Sequence, residues 1–220
     1  MSVYLADPVL GSVDHGFGTR GAPVPAGCVR PHQVHGATVV DAEACRGVAV
    51  PPDADAVIST VPGLPVAVVT ADCVPVLLAA PGAVAAVHAG WRGVAAGIVT
   101  AAVDALRRAA GCGAVAVRAA IGPHIGSCCY EVDDPVLERL ERRHARSLPG
   151  AVQPTRPGHG RLDLGCLVRA ELTGVGLDAA FVGTGAAGCT SCAPERFESH
   201  RRDGPRAGRL LHYVAAPAQG

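Results

Sequence analysis

Lysine is absent from the chain, and all 19 basic residues are arginine. With arginine used by default, an isolated arginine carries little functional weight. Aromatic residues are scarce as well, 3% of 220 positions against 49% hydrophobic residues overall. The core therefore has to be built from alanine, valine and leucine. Charged residues are 17%, below the usual quarter, and they cancel to zero net charge. No basic stripe is present, so a nucleic-acid partner is not expected. The one helically spaced basic cluster, Arg139, Arg142, Arg143 and Arg146, is interleaved with Glu138 and Glu141 and reads as a solvated helix face. The first 16 residues carry Asp7 and Asp14 and no basic stretch, so no signal peptide is expected there. The most apolar stretch, 61–90, is interrupted by Pro62, Pro65, Asp72, Pro75, Pro81 and Gly82. It reads as buried sheet and not as a membrane span. Nine cysteines without a secretion signal are expected as thiols in the cytoplasm.

The length fits one domain, 1–220, large enough to bury roughly 70% of its unfolded surface without a covalent staple. Apolar runs at 66–70, 74–80 and 83–88 read as strands, the last two joined by a turn at Pro81-Gly82. Residues 94–110, alanine-rich and free of proline, read as one helix capped by Gly111. Asp134-Pro135 opens a second helix to about 145, with Asp134 as its cap. A third is expected over 163–174. Strands are expected at 114–121, 179–182 and 210–214, and the Pro/Gly-rich stretch 149–160 reads as a loop. Hairpins mixed with isolated helices argue for an α+β fold with mixed sheets and not for strict βαβ alternation.

Three polar residues stand at the ends of apolar segments. His35 lies in Pro31-His32-Gln33-Val34-His35-Gly36, Cys73 just before the 74–80 strand, and His88 at the end of the 83–88 strand. If the Pro81-Gly82 turn forms, antiparallel pairing sets Cys73 and His88 across from each other at one end of a sheet. Two imidazoles and a thiolate suit Zn²⁺ and leave a fourth tetrahedral position open. Spacing alone leaves the plainer readings open: a small buried cysteine and two hydrogen-bonded histidines. Gly90-Trp91-Arg92-Gly93, just before a helix, is either an anion site or a packing turn. Ser199-His200-Arg201-Arg202-Asp203-Gly204 is either a second basic contact or a surface turn. Cys189 and Cys192 form a C-x-x-C without a second pair at zinc-ribbon distance, and read as structural cysteines. Cys128 and Cys129 are adjacent and offer no usable ligand spacing.

Several motifs together resemble the laccase-domain family. They are Gln33-Val34-His35-Gly36, Thr70-Ala71-Asp72-Cys73-Val74-Pro75-Val76-Leu77-Leu78 and Ala86-Val87-His88-Ala89-Gly90-Trp91-Arg92-Gly93. Ile121-Gly122-Pro123-His124-Ile125-Gly126, Cys129-Tyr130-Glu131-Val132, Cys189-Thr190 and the Ser199–Gly204 motif belong to the same pattern. The likeness runs over about 15–213. The family was named for multicopper polyphenol oxidation and is understood as zinc-dependent purine nucleoside phosphorylases, with adenosine deaminase and methylthioadenosine phosphorylase activity. The resemblance implies a single α+β domain with mixed sheets and flanking helices, like cytotoxic-necrotising-factor catalytic domains. It implies His35, Cys73 and His88 as zinc ligands and catalytic centre. Two departures bear on substrate range: the segment between Arg20 and Gln33 is shorter than in the family, and His124 stands where a small residue is usual.

The implied substrates are purine nucleosides and phosphate, with Arg20, Arg92 and Arg201 as phosphate candidates and Gln33, Asp72 and His124 as further pocket residues. Three rivals stand beside this. The first is a metal-free thiol hydrolase, with Cys73 as nucleophile and His88 as base, acting on amide or peptidoglycan-type substrates. The second is a zinc-stabilised binding module without turnover. The third is a copper phenol oxidase, disfavoured because none of the nine histidines is spaced H-x-H for a multicopper centre, which leaves copper the lesser metal candidate. A deaminase of the H-x-E…P-C-x-x-C type is disfavoured, because no His-x-Glu occurs.

Overall fold

The structure, a computed structural model, describes residues 3–217. The two ends of the expected 1–220 domain lie outside the described residues. The fold is α+β, with thirteen strands in three sheets among the described residues. The largest has six strands in the order β12-β8-β6-β7-β4-β3. These are β3 (Val39–Asp41), β4 (Ala56–Ser59), β6 (Val74–Ala80), β7 (Ala83–Ala89), β8 (Arg118–Ile121) and β12 (Val182–Gly183). A four-stranded sheet, β1-β2-β13-β5, contains β1 (Tyr4–Leu5), β2 (Asp14–Gly18), β5 (Pro65–Thr70) and β13 (Leu210–Ala215). The third is a small antiparallel sheet of β9 (Glu131–Asp133), β10 (Val152–Pro154) and β11 (His159–Leu162).

The central hairpin explains the layering. In β6 and β7 nearly every side chain is buried, because both faces of the six-stranded sheet are covered. Val74, Val76, Leu78, Ala85 and Val87 face a cluster with Ile98, Val103, Leu106 and Leu167 from the helices. Leu77, Ala79, Val84 and Ala86 face Phe17, Val66, Val68 and Val214 of the four-stranded sheet. Small alanines on β7 let the layers approach, as the shortage of aromatics requires. The hairpin turn falls at Pro81-Gly82, with Gly82 at φ +71°. Its register pairs Val74 with Ala89 and Pro75 with His88, which brings Cys73 and His88 to one end of the sheet.

Several expected elements take a different form. The single helix over 94–110 is two: α1 (Trp91–Ala96) and α2 (Ile98–Ala110), broken at Gly97 in the left-handed region at φ +88°. The strand expected over 114–121 begins only at Arg118, after a 3₁₀ turn at Ala114–Ala116. The 179–182 segment is mostly another 3₁₀ turn, Ala179–Phe181. The loop expected at 149–160 contains the end of a short helix, α4 (Leu148–Ala151), then β10 and the start of β11. Helix α3 (Asp134–His144) takes Asp133, not Asp134, as its cap. Nor is its basic face wholly solvated, because Arg143 reaches the buried Glu171 at 3.0 Å. That carboxylate sits on α5 (Leu164–Gly174), which opens with Asp163 accepting from the Cys166 N–H. The last helix, α6 (His200–Asp203), opens with Ser199. Among the described residues no helix is long and apolar enough to cross a membrane.

Candidate metal centre

Three chain segments meet at one end of the central hairpin. His88 is the buried penultimate residue of β7. Cys73 lies on the short link where the chain passes from β5 in one sheet to β6 in the other. His35 comes from the segment before β3. The ligand atoms of His35, Cys73 and His88 lie within 4.8 Å of one another. The two imidazoles meet edge to face, with ring centroids 4.8 Å apart.

Asp55, fully buried just before β4, organises this cluster. Its Oδ1 lies 2.7 Å from His88 Nδ1, so the carboxylate fixes the imidazole with Nε2 free as the ligand nitrogen. The same carboxylate accepts the N–H groups of His35 at 2.9 Å and Gly36 at 2.6 Å. His35 has φ +60°, a region that costs a non-glycine residue free energy, and these bonds hold it there. Sequence reading missed Asp55; its only signal was an acidic residue standing directly before the apolar 56–59 run.

The electrostatics favour charged ligands. Burial alone would raise the Cys73 thiol, but hydrogen bonds and charge from His35 and His88 bring it down to about 6. Burial alone would lower His88, but hydrogen bonds from Asp55 and Cys73 raise it to about 9. In the protein without a cation the sulfur is thus an anion beside an imidazolium. A divalent ion replaces that proton directly. The surroundings also leave room: a Cβ at Gly90 would lie 3.1 Å from both Cys73 Sγ and His35 Cδ2, so glycine keeps this side of the cluster clear. Two nitrogens and one sulfur converging, with no fourth protein ligand among the described residues, fit a metal ion with an open position.

The cluster opens into a cavity of about 790 Å³, whose walls include Gln33, Asp72, Trp91, Tyr130 and Arg201. Gln33 spends both ends of its amide on the Val69 backbone, at 2.8 and 2.7 Å. Asp72, with φ +93°, accepts from Thr190 Oγ1 and the Arg201 N–H, each at 2.6 Å. These two hold the wall in place. Arg201 spreads over the Tyr130 ring at 5.1 Å. Arg30 and Arg209, which sequence reading did not single out, line the same cavity.

Three other anticipated residues are not on this wall. Arg20 pairs with Glu198 at 2.7 Å and Asp203 at 3.6 Å. Arg92 lies over the Trp91 ring at 4.4 Å. His124 faces Gly165 and Asp163 in a separate cavity, its Nδ1 2.8 Å from the Gly122 carbonyl.

The fold and site thus define an α+β protein with a soft three-ligand cluster at the floor of an arginine-lined cavity. A family model described as multi-copper polyphenol oxidoreductase laccase matches residues 18–217, and the chain belongs to that family. A protein of Xylella fastidiosa named purine nucleoside phosphorylase is 40% identical over 183 residues, covering 81% of this chain and 68% of that protein. A protein named adenosine deaminase RL5, from an unknown prokaryote, is 35% identical over 159 residues, 71% of this chain and 60% of its own length. The crystal structure of YlmD from Geobacillus stearothermophilus superposes with a TM-score of 0.86 at 26% identity, covering 99% of this chain and 100% of that one.

Proposed function

We propose that this chain is a zinc-dependent purine nucleoside phosphorylase. It would split the N-glycosidic bond of adenosine, inosine, guanosine or methylthioadenosine with phosphate. The observation that carries the reading is the meeting of the His35–Cys73–His88 cluster with a cavity bearing Arg30, Arg201 and Arg209. The names of the relatives agree with it.

Phosphorolysis needs a multiply charged anion held beside the sugar C1′ and stabilisation of negative charge on the departing purine. Arginines suit the anion, because a guanidinium donates in a fork that matches phosphate oxygens. Asp72 is the acidic residue on this wall. Its oxygens accept from Thr190 Oγ1 and the Arg201 N–H, so it orients the Arg201 backbone at this wall. Trp91 and Tyr130 give flat apolar surface for a purine. Burial raises the Tyr130 phenol, and the Cys73 charge raises it further, so Tyr130 stays a neutral hydrogen-bond donor at working pH. When bound at His35, Cys73 and His88, zinc supplies Lewis acidity at the cavity floor.

The test is direct. Metal-loaded protein is incubated with adenosine, with and without phosphate, and products are separated by chromatography. Phosphate-dependent adenine is the expected result. Inosine would report deamination, the activity that one relative's name carries. Absence of both at full zinc occupancy overturns the reading. The placing of a Cys73 sulfur beside His88 also favours a metal-free thiol hydrolase, and activity that survives complete chelation would select that reading instead.

A further inference from the structure

Cys128, Cys129, Cys189 and Cys192 come from two loops about sixty residues apart in sequence, yet all four sulfurs lie within 4.8 Å of one another. Cys192 Sγ is 3.6 Å from Cys128 Sγ and 3.4 Å from Cys129 Sγ. These spacings are far above a disulfide bond of about 2.05 Å. They lie close to the edge of a tetrahedron with metal–sulfur bonds of about 2.3 Å, which is roughly 3.8 Å. A tight turn makes the adjacent pair usable: the N–H groups of Cys129 and Tyr130 both donate to the Gly126 carbonyl, at 3.0 and 3.1 Å. Neither spacing nor motif betrayed this arrangement, because the fold alone joins the C-x-x-C to the Cys-Cys pair.

We propose that these four cysteines hold a structural Zn²⁺ ion as a tetrathiolate, separate from the His35–Cys73–His88 cluster. Four protein ligands close the coordination sphere, so this ion has no catalytic position. The surroundings suit a thiolate centre. The Gly126 N–H donates to Cys189 Sγ at 3.3 Å, the kind of backbone bond that supports a coordinated sulfur. Arg202, itself paired with Asp203 at 2.7 Å, donates to the carbonyls of Thr190 and Ser191 at 2.9 and 3.3 Å, which fixes the loop between Cys189 and Cys192. Zinc binding would release the thiol protons to solvent, and no oxidant or reductant is needed.

The position gives the ion a purpose. His124 and Cys189 form an isolated bridge between the two loops, with His124 N–H to Gly188 carbonyl at 3.1 Å and Thr190 N–H to His124 carbonyl at 3.0 Å. Tyr130, next to Cys129, lines the large cavity, and Thr190, next to Cys189, holds Asp72. A metal clamp here braces one wall of the cavity from behind.

The test uses the full chain purified under reducing conditions without added chelator. Zinc is measured by mass spectrometry in the wild type, in Cys192→Ser and in Cys128→Ser/Cys192→Ser. Each variant is expected to lose about one equivalent per chain, whatever the His35–Cys73–His88 site holds; Cys73→Ser is expected to leave that equivalent in place. An unchanged zinc content in the double variant overturns the proposal. A second measurement needs no variant. Native protein is alkylated with iodoacetamide, with and without a strong chelator, and the labelled cysteines are mapped. Cys128 and Cys192, though exposed, are expected to resist labelling until the chelator is present, while exposed Cys166 reacts in both arms. Full labelling without chelator, a disulfide within the cluster, or iron with acid-labile sulfide would each overturn it.

Discussion

Asp55 ties two ligands to one carboxylate, and its removal separates ligand orientation from ligand identity. In Asp55→Asn the His35, Cys73 and His88 donors all remain, but the charge that holds His88 Nδ1 and the His35 N–H is gone. Metal affinity is expected to fall roughly 10- to 100-fold, read by competition with a chromophoric chelator; an unchanged affinity would remove Asp55 from the site. His212 gives a pH prediction at the same scale. It is fully buried, its Nε2 2.8 Å from Thr70 Oγ1, and its Nδ1 lacks a partner. Burial, with a smaller contribution from the His88 charge, lowers it from 6.5 to about 3. Because the folded value is depressed, the unfolded chain binds this proton first. The contribution of His212 to stability is therefore complete above 6.5 and is lost as pH falls toward 3, by up to about 1.4 kcal/mol per pH unit. In His212→Leu the slope of denaturation free energy against pH between 6 and 4 should flatten by about one proton, and an unaltered slope would contradict the burial argument. Residues differed in how readable they were. His35, Cys73 and His88 stood at or beside apolar segments and inside motifs. Asp55, Arg30 and Arg209 stood in none, and their roles depend on contacts that only the folded chain makes.

Elements were legible where one periodicity ran unbroken. The β6–β7 hairpin, α5 and β13 were readable because both faces of the sheet, or one whole helix face, are apolar. β2 was not: Asp14–Gly18 contains two glycines and only one large apolar residue, Phe17, and is a strand because β1 and β13 pair with it on either side. The break between α1 and α2 was hidden in the same way, since one glycine in an alanine-rich run does not interrupt the helical pattern. Its cause is tertiary. Gly97 is left-handed, and a Cβ there would meet the Arg143 guanidinium at 2.6 Å. That guanidinium bridges Thr100 Oγ1 at 2.7 Å and Glu171 at 3.0 Å, so the break makes room for a link among α2, α3 and α5. Gly97→Ala is expected to lower stability by roughly 1–2 kcal/mol, from left-handed strain in a residue with a Cβ. Chemical denaturation reads this directly. A stabilising outcome would mean that the two helices prefer to merge and that Gly97 is not needed for the bend.

At the scale of the molecule, the His35–Cys73–His88 cluster joins parts that lie far apart in the chain. β5 lies in the four-stranded sheet and β6 and β7 in the six-stranded one, and Cys73 sits on the link between them. His88 ends the central hairpin, and His35 arrives from the segment whose backbone is bonded to Asp55. An ion held by all three closes the end of the sandwich that the cavity opens. Such an ion binds the folded chain and has no preformed site in the unfolded one, so its binding free energy adds to folding stability. With free metal at a thousand times the dissociation constant, the gain is about 4 kcal/mol. For a chain of this length each kcal/mol moves the melting temperature by roughly 2–4 °C, so loss of this one ion should lower it by on the order of 10 °C, and complete chelation, which also empties the four-cysteine site, should lower it further. Cys73→Ser should reproduce the part of that loss that belongs to this cluster and remove the response to metal that remains in Cys192→Ser. A melting temperature indifferent to chelator in Cys192→Ser would mean that no ion joins the two sheets, and the open end of the sandwich would then be held by Asp55 and its hydrogen bonds alone.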